Sequence, residues 1–334
     1  MIISKKEKDH LKFRSDGRFK IVVFSDVQEQ YPIHQRLISI MERALEREKP
    51  DLVVFLGDQT EMNTKEPEVD FRRAIQQILS PVVKAEIPYA FVFGNHDDQC
   101  HYIGTRADKD ALLSVYQSIG DCRIVDANPK LTGSGNCKIS ICASNSDKVV
   151  FDLWLIDSNT YHNPTTEANG YDNPHTDQLD WMKANSNKEI NSLIFQHIPM
   201  PEIYNLLVEA ENGEKTYGGK KYAKALNSNA NGYLGEFPCP CNAENNMGEF
   251  TVLKEMGNVL GVFTGHDHLN DFTGTYDGID MIAVPGMTYF NYGDEAVRGY
   301  GVIELNQNKL SHYNYHSVKF SVLDAQADTS DKIS

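Results

Sequence analysis

Short apolar runs alternate with amphipathic helical segments through the first third of this chain. The apolar runs are predicted to be strands and occupy residues 19–24, 52–56 and 89–93. The segments between and after them carry apolar residues at helical spacing, at residues 33–48, in a stretch that ends before Pro81, and at 108–119. Strands that alternate with helices of this length are typical of an α/β domain.

The remainder of the chain is richer in predicted strands. These lie at residues 122–125, 137–142, 149–156, 258–263, 279–284, 300–305 and 310–317. Helices are predicted at 177–184, 202–209 and 250–256. Residues 211–248 are polar and rich in Gly and Asn, so we predict a loop insertion there that could select the substrate. The domain is expected to span residues 18–323, between an N-terminal extension, 1–17, and a polar tail, 324–334.

Polar residues directly follow five of the strand-like runs. The five clusters are Ser25-Asp26-Val27-Gln28, Gly57-Asp58, Gly94-Asn95-His96-Asp97, Gln196-His197 and Thr264-Gly265-His266-Asp267-His268. In α/β sheets, ligands bind beyond the carboxyl ends of the strands. The five clusters are therefore expected to converge on one crevice.

The side chains in these clusters are those of a metal centre. Asp26 and Asp58 offer anionic oxygen, and Gln28 and Asn95 offer amide oxygen. Imidazole nitrogen comes from three histidines, His197, His266 and His268. Mixed nitrogen and oxygen ligands suit Mn, Fe, Zn or Co. Seven ligands are too many for one tetrahedral ion, whereas two ions about 3.5–4 Å apart are a known device for displacement at phosphorus.

Each cluster taken alone has an ordinary structural explanation. A single histidine after a strand is usually structural, and an aspartate there is usually a turn or cap residue. His-x-His is weak evidence, because alternate strand positions share a face. The five clusters together, in this order, favour a metal site.

The clusters resemble those of the calcineurin-like metallophosphoesterases, whose pattern is D-x-H, G-D, G-N-H-D/E, a lone H, and G-H-x-H. The resemblance covers about residues 18–305. Within the family, the sequence resembles the purple-acid-phosphatase-like branch. The strings that indicate this branch are Asp157-Ser158, Gln178-Leu179-Asp180-Trp181, His197-Ile198-Pro199 and the run from Gly265 to Phe272. The resemblance implies a four-layer αββα sandwich, with two mixed β-sheets flanked by helices.

The resemblance also implies a role for each residue. Asp58 would bridge two divalent or mixed-valence metal ions. The first ion would take Asp26, Asp58, His268 and the position of Gln28, and the second would take Asp58, Asn95, His197 and His266. His96 would be catalytic rather than a ligand, and Asp97 would orient its ring.

Two positions depart from the family pattern. Gln28 stands where the family has histidine, and Glu61 stands where purple acid phosphatases have a ligand tyrosine. Without that tyrosine, the colour of the purple enzymes is not expected. Gln28, Glu61 or water could complete the first site, and His34 is a further, weaker alternative.

The implied reaction is hydrolysis of a small phosphorylated substrate, a monoester in preference to a diester. A water between the ions would attack as hydroxide, and His96 would assist the leaving group. The alternatives are a phosphodiesterase acting on nucleotides and a non-catalytic scaffold with the metallophosphoesterase fold that has lost metal ligands. Tyr161, His162 and His175 could line the pocket, and the lysines of 211–248 could meet phosphate or only be solvated.

The net charge, the apolar runs and the cysteines of the sequence limit the partners and the compartment that we expect for this protein. The net charge is −15 and basic residues do not cluster with aromatic ones, so nucleic acid is not an expected partner. The sequence has no apolar run of membrane-spanning length and no signal-peptide core, so we expect a cytoplasmic protein without membrane contact. The six cysteines are expected to be free thiols, including Cys239 and Cys241.

Overall fold

A computed structural model describes residues 10–61, 67–98, 106–162 and 170–323. Most of the predicted extension, residues 1–9, and the whole predicted tail, 324–334, lie outside the described residues, as does Cys100. Within the described part, no helix is both long and apolar enough to cross a membrane.

Strands dominate the described chain. In chain order they are β1 (Leu11–Lys12), β2 (Arg18–Phe24), β3 (Leu52–Leu56), β4 (Tyr89–Val92), β5 (Cys137–Cys142), β6 (Val149–Leu155), β7 (Ser192–Phe195), β8 (Leu207–Glu209), β9 (Lys215–Tyr217), β10 (Lys220–Leu226), β11 (Ala230–Leu234), β12 (Val259–Thr264), β13 (Asn270–Tyr276), β14 (Ile279–Ala283), β15 (Gly299–Asn306) and β16 (Tyr313–Lys319). The α-helices are α1 (Gln35–Glu48), α2 (Pro67–Lys84), α3 (Arg106–Gln117), α4 (Thr176–Asn185) and α5 (Glu249–Met256).

Two large mixed sheets form the centre of the domain. The first has the order β16-β15-β2-β3-β4, and the second has the order β1-β5-β6-β7-β12-β14-β13-β11. Strands β2, β3 and β4 are parallel to one another. In the second sheet, β6, β7, β12 and β14 are also parallel. The carboxyl ends of each parallel set therefore lie along one edge of its sheet, as the position of the polar clusters requires.

The second sheet is buried on both faces. Leu153 and Leu155 of β6 pack into the core shared with the first sheet, while Trp154 between them packs into a separate core with α4 and α5. The alternation follows from the two-residue period of a strand. Helices α1 and α2 pack against the first core. The predicted four-layer arrangement of two sheets flanked by helices is confirmed.

The helix predicted to end before Pro81 continues to Lys84. Proline has no N–H to donate to the carbonyl of Gln77, four residues earlier. The hydroxyl of Ser80 donates to that carbonyl instead, at 2.7 Å. The carbonyl of Gln77 therefore has a hydrogen-bond donor although proline supplies none, and the helix continues through Pro81.

Three other predicted elements were wrong. Residues 122–125 contribute one isolated bridge, from Cys122 to Tyr89, and no strand. Residues 202–209 form a 3-10 helix, Pro201–Leu206, followed by β8. The predicted loop 211–248 contains β9, β10 and β11, and β8-β10-β9 forms a third sheet. Stacked tyrosines, with the ring of Tyr204 4.1 Å from that of Tyr217, hold this sheet to the domain.

The predicted N-terminal extension is not entirely outside the fold. Leu11 and Lys12 form β1, which pairs in parallel with Ile141 and Cys142 of β5. The five described cysteines form no disulfide with one another, in agreement with the prediction of thiols.

Candidate metal centre

The five polar clusters meet in one buried site at the carboxyl ends of β2, β3, β4, β7 and β12. The backbone N–H of Asp26 donates to the carbonyl of Gly57 at 3.2 Å, which joins the first two clusters. The N–H of His96 donates to Oδ1 of Asp58 at 2.7 Å, which adds the third. The convergence that the sequence predicts is therefore present.

Asp58 lies at the centre of the site. Its Oδ2 is 3.1 Å from Nε2 of His197. Ligand atoms of Asp58, His197 and His266 all lie within 4.8 Å of one another. All three residues are buried, so this trio offers a closely spaced oxygen and two nitrogens with little access to bulk water.

Asp26 and His268 form a second group beside the first. Nε2 of His268 lies 3.4 Å from Oδ1 of Asp26, and Nε2 of His197 lies 4.0 Å from the same oxygen. The backbone N–H of His266 donates to both Asp26 oxygens at 3.1 Å. The predicted ligands thus divide between the two neighbouring groups that a dinuclear centre would need.

Backbone carbonyls fix which nitrogen each histidine presents. Nδ1 of His197 donates to the carbonyl of Leu56 at 2.9 Å, and Nδ1 of His268 donates to the carbonyl of Tyr292 at 2.9 Å. Each ring therefore presents Nε2 to the carboxylates. Ligand histidines usually have such a partner on the other nitrogen, because it sets the tautomer and the ring orientation.

Two predicted ligands have a buried amide oxygen without a hydrogen-bond partner among the described residues. These atoms are Oε1 of Gln28 and Oδ1 of Asn95. A buried polar atom left without a partner costs free energy, so such atoms are uncommon and call for an explanation. The donor set therefore fits bound cations that would satisfy these atoms.

Burial and charge oppose each other in the site. Burial would raise the pKa of Asp58, but the charges of His197 and His96 hold that pKa well below its usual value. Burial would lower the pKa of His197, but Asp58 and Asp26 raise it to about 10. His266, where burial dominates, has its pKa lowered to about 3. The carboxylates of Asp26 and Asp58 therefore strongly favour a positive charge in the space between them.

The turns that carry the ligands are unusual in their backbone. Asp26, Gln28, Asp58 and His266 have positive φ angles of 49°, 42°, 48° and 73°. Non-glycine residues rarely adopt this region, and such residues concentrate at functional sites. Four residues in three turns therefore hold a strained backbone that directs these side chains inward.

A model of the calcineurin-like phosphoesterase family matches residues 19–270. The chain belongs to this family. Among curated proteins it is 29% identical over 223 residues to phosphatase DCR2 of Saccharomyces cerevisiae, covering 60% of this chain and 38% of that protein. It is 26% identical over 227 residues to the probable inactive purple acid phosphatase 14 of Arabidopsis thaliana, covering 58% of this chain and 56% of that protein.

A solved structure of a dimetal phosphatase from Danio rerio superposes with a TM-score of 0.54, covering 86% of this chain and 93% of that chain. At 16% identity this similarity shows a shared fold alone. The chain spans 38% and 56% of the length of the two curated relatives. The predicted family is confirmed, and the relatives include purple-acid-phosphatase-like proteins.

Two of the alternative ligands for the first metal, Glu61 and His34, have other partners in the structure. Oε2 of Glu61 accepts a hydrogen bond from the side-chain amide of Asn291 at 2.7 Å. Nδ1 of His34 lies 2.7 Å from Oε2 of the buried Glu29. Gln28, in contrast, keeps Oε1 without a partner among the described residues. Of the alternatives that the sequence leaves open, these contacts favour Gln28.

The role of Asp97 as the group that orients His96 stays a prediction. Its described contacts are to the backbone: Oδ1 accepts the N–H groups of Gln59 and Thr60, and Oδ2 accepts that of Gly94. Asp97 therefore holds the turn after β3 against the turn after β4. Burial and the nearby Asp58 raise the pKa of Asp97 to about 7.

A segment after β6 supports two of the ligand-bearing turns. The sequence analysis identified Asp157-Ser158 as a family string and Tyr161 as a residue that could line the pocket, but it did not predict this supporting role. Oγ of Ser158 accepts the N–H of Ile198, next to His197, at 2.9 Å. The hydroxyl of Tyr161 lies 3.5 Å from the amide nitrogen of Asn95. The buried amine of Lys109 lies 2.9 Å from both oxygens of Asp157. Lys109 and Asp157 are 48 residues apart, and no pattern in the sequence signals that they pair.

Proposed function

We propose that this protein is a metal-dependent phosphoesterase that hydrolyses phosphate monoesters with two bound ions. One observation carries the proposal: Gln28 and Asn95, on the turns after β2 and β4, each present a buried amide oxygen without a hydrogen-bond partner among the described residues. One ion would be held by Asp26, Asp58, Gln28 and His268. The other would be held by Asp58, Asn95, His197 and His266.

The chain's residues would divide the work of hydrolysis. When bound, the ions would supply Lewis acidity toward the phosphate and would make water a stronger nucleophile. The water oxygen bonds to phosphorus, the ester P–O bond breaks, and one proton goes to the leaving oxygen. His96 is the residue that we assign to that proton. It is only partly buried, and its backbone is fixed by Asp58.

The proposal is tested by measuring metal content and turnover on the same preparation. The protein as purified should contain about two ions per chain, and chelation should abolish cleavage of an aryl phosphate monoester. Addition of Mn, Fe, Zn or Co should restore it. Absence of turnover on both mono- and diesters with each of these ions would overturn the proposal.

His96 is tested by substitution with alanine. Loss of general acid catalysis lowers kcat by roughly 10²–10⁴-fold, while metal content should stay near that of the unmodified protein. His316→Ala, at an exposed position on β16, is the control and should change neither quantity. If His96→Ala loses metal, His96 is a ligand and the assignment is wrong.

A non-catalytic scaffold is the second candidate, and the replacement of the family histidine by Gln28 favours it. A scaffold would bind fewer than two ions and turn over no ester. A phosphodiesterase acting on nucleotides would instead contain both ions and prefer diesters. The same two measurements separate these three functions.

A further inference from the structure

One face of the metal centre is bordered by an exposed tyrosine. The ring of Tyr292 stacks on the ring of His268, with centroids 4.3 Å apart and planes 12° apart. Its backbone carbonyl accepts the hydrogen bond from Nδ1 of the same histidine. Tyr292 nevertheless keeps 49% of its surface exposed, and Phe290, two residues earlier, keeps 44%. Tyrosine and phenylalanine side chains at the edge of a site offer flat apolar area for binding.

The other histidine of the Gly-His-Asp-His motif also contacts a tyrosine. The ring of Tyr171 meets His266 edge-on, with centroids 4.3 Å apart. Tyr161 stacks on Tyr171 at 5.4 Å. Both tyrosines are half-buried, so they fill space beside His266 more than they present a surface. The two sides of the centre therefore differ: the His266 side is packed, and the His268 side is open and aromatic.

The hydroxyl of Tyr292 contacts a carboxylate. It donates to Oε1 of Glu236 at 3.3 Å. A second phosphate or a carboxylate on the substrate would be repelled by Glu236, since like charges in a partly buried site are poorly screened. An uncharged leaving group would not be repelled.

A ring that served only to hold His268 would not need so much open surface. The backbone carbonyl of Tyr292 already fixes that histidine, and the ring adds a second, exposed layer beyond it. The exposed Phe290 lies on the same loop, where Oγ1 of Thr288 accepts the N–H groups of Phe290 and Asn291. These two hydrogen bonds hold the loop in a turn, and the stacking on His268 keeps the ring of Tyr292 beside the predicted first ion.

We propose that Tyr292, supported by Phe290, is a specificity surface for a flat, uncharged leaving group, and that the substrate is an aryl phosphate monoester. This inference rests on the proposed phosphoesterase function. It adds the chemical class of the alcohol half of the ester, which would stack on Tyr292 while the phosphate lies at the metal centre.

The test compares one aryl and one alkyl phosphate monoester on three proteins: unmodified, Tyr292→Leu and Tyr292→Phe. Aryl esters have better leaving groups, so the informative quantity is the change in the ratio of kcat/KM between the proteins. Tyr292→Leu should reduce the aryl preference by about 2- to 10-fold, the range of an aromatic pair. Tyr292→Phe keeps the ring and should keep the preference. Tyr276→Leu, at the far end of β13, is the matched control.

Binding of non-hydrolysable analogues gives a readout that does not depend on turnover. Phenylphosphonate should bind the metal-loaded protein more tightly than methylphosphonate, and Tyr292→Leu should remove most of that difference in a calorimetric titration. Equal losses for both esters and both phosphonates would show that Tyr292 only supports His268, which overturns the inference. If no ester is cleaved while phenylphosphonate is still preferred, the proposed function fails and the aromatic surface stands.

Discussion

The imidazole of His197 lies directly against Gly57. A Cβ built on this glycine would lie 2.3 Å from Nδ1 of His197, and the glycine itself has a φ of +89°. The turn after β3 therefore has no room for any other residue, because the histidine ring occupies the place of the side chain. Gly57 is what allows Asp58 and His197 to approach each other.

Gly57→Ala should therefore cost more than backbone strain. A second glycine, Gly219, has a φ of +78° with no atom within 4 Å of the point that a Cβ would occupy, so Gly219→Ala should show the strain alone, about 1–2 kcal/mol. We expect Gly57→Ala to lose more stability than this in urea unfolding and also to lose metal. Similar results for the two variants would show that the turn can move away from His197.

The first metal should be held more loosely than the second. An amide oxygen is a weaker donor to borderline metals than imidazole, so chelation should remove two ions in separate steps, with activity lost at the first. Gln28→His should tighten that step. Glu61→Gln should change little, because Glu61 already accepts from Asn291. Calorimetric titration of metal into each apo protein measures the effect, and a weaker first step in Glu61→Gln would identify Glu61 as the ligand.

Substitution of Lys109 should lower the free energy of unfolding far more than substitution of an exposed lysine in a similar ion pair. Its amine is buried between Asp157, at 2.9 Å, and Asp98, at 3.9 Å. Lys109→Met would leave buried carboxylates without their cation, and breaking such a pair costs about 3–5 kcal/mol. Lys183→Met, which removes an exposed pair with Glu255, is the matched control and should change unfolding little. Equally small effects would mean that water reaches Asp157.

Glu249 should make the protein less stable as the pH rises. Burial raises its pKa to about 8, although a hydrogen bond from Gln196 opposes the shift. The folded state holds this proton after the unfolded state has lost it, so stability from Glu249 is complete below about pH 4.5 and is lost as the pH approaches 8. Glu249→Gln should therefore be the more stable protein at about pH 8 and should lose that advantage near pH 4. A pH-independent difference in unfolding would contradict this.

The parts of the fold that could be predicted are those with local signals. Residues 52–56 and 137–142 have the bounds of β3 and β5, because a continuous or alternating apolar run depends only on which faces are buried. Strand β10 gave no such signal, because only Tyr222 of its seven residues is buried. Tyr222 packs against the ring of Tyr204, with centroids 4.9 Å apart, and spacing within the strand carries no information about this contact.

The residues of the site also divide into those that the sequence could predict and those that it could not. Asp26, Asp58 and His197 could be predicted because each follows a strand, and parallel strands bring their ends together. Tyr292 could not, since it lies in a loop whose contact with His268 exists only after folding. The contacts of Glu61 were also unpredictable, because its partner Asn291 is 230 residues away.

The hydrogen bond from His266 to Asp26 joins residues 240 positions apart. During synthesis, the first acidic residue of the site leaves the ribosome long before the last histidines exist. Asp26 and Asp58 would meanwhile lie at the ends of β2 and β3 without the nitrogen donors of His197, His266 and His268. A nascent chain stopped before residue 266 would thus carry two neighbouring carboxylates without their full set of counter-charges, and stable metal loading would be an event of the completed domain.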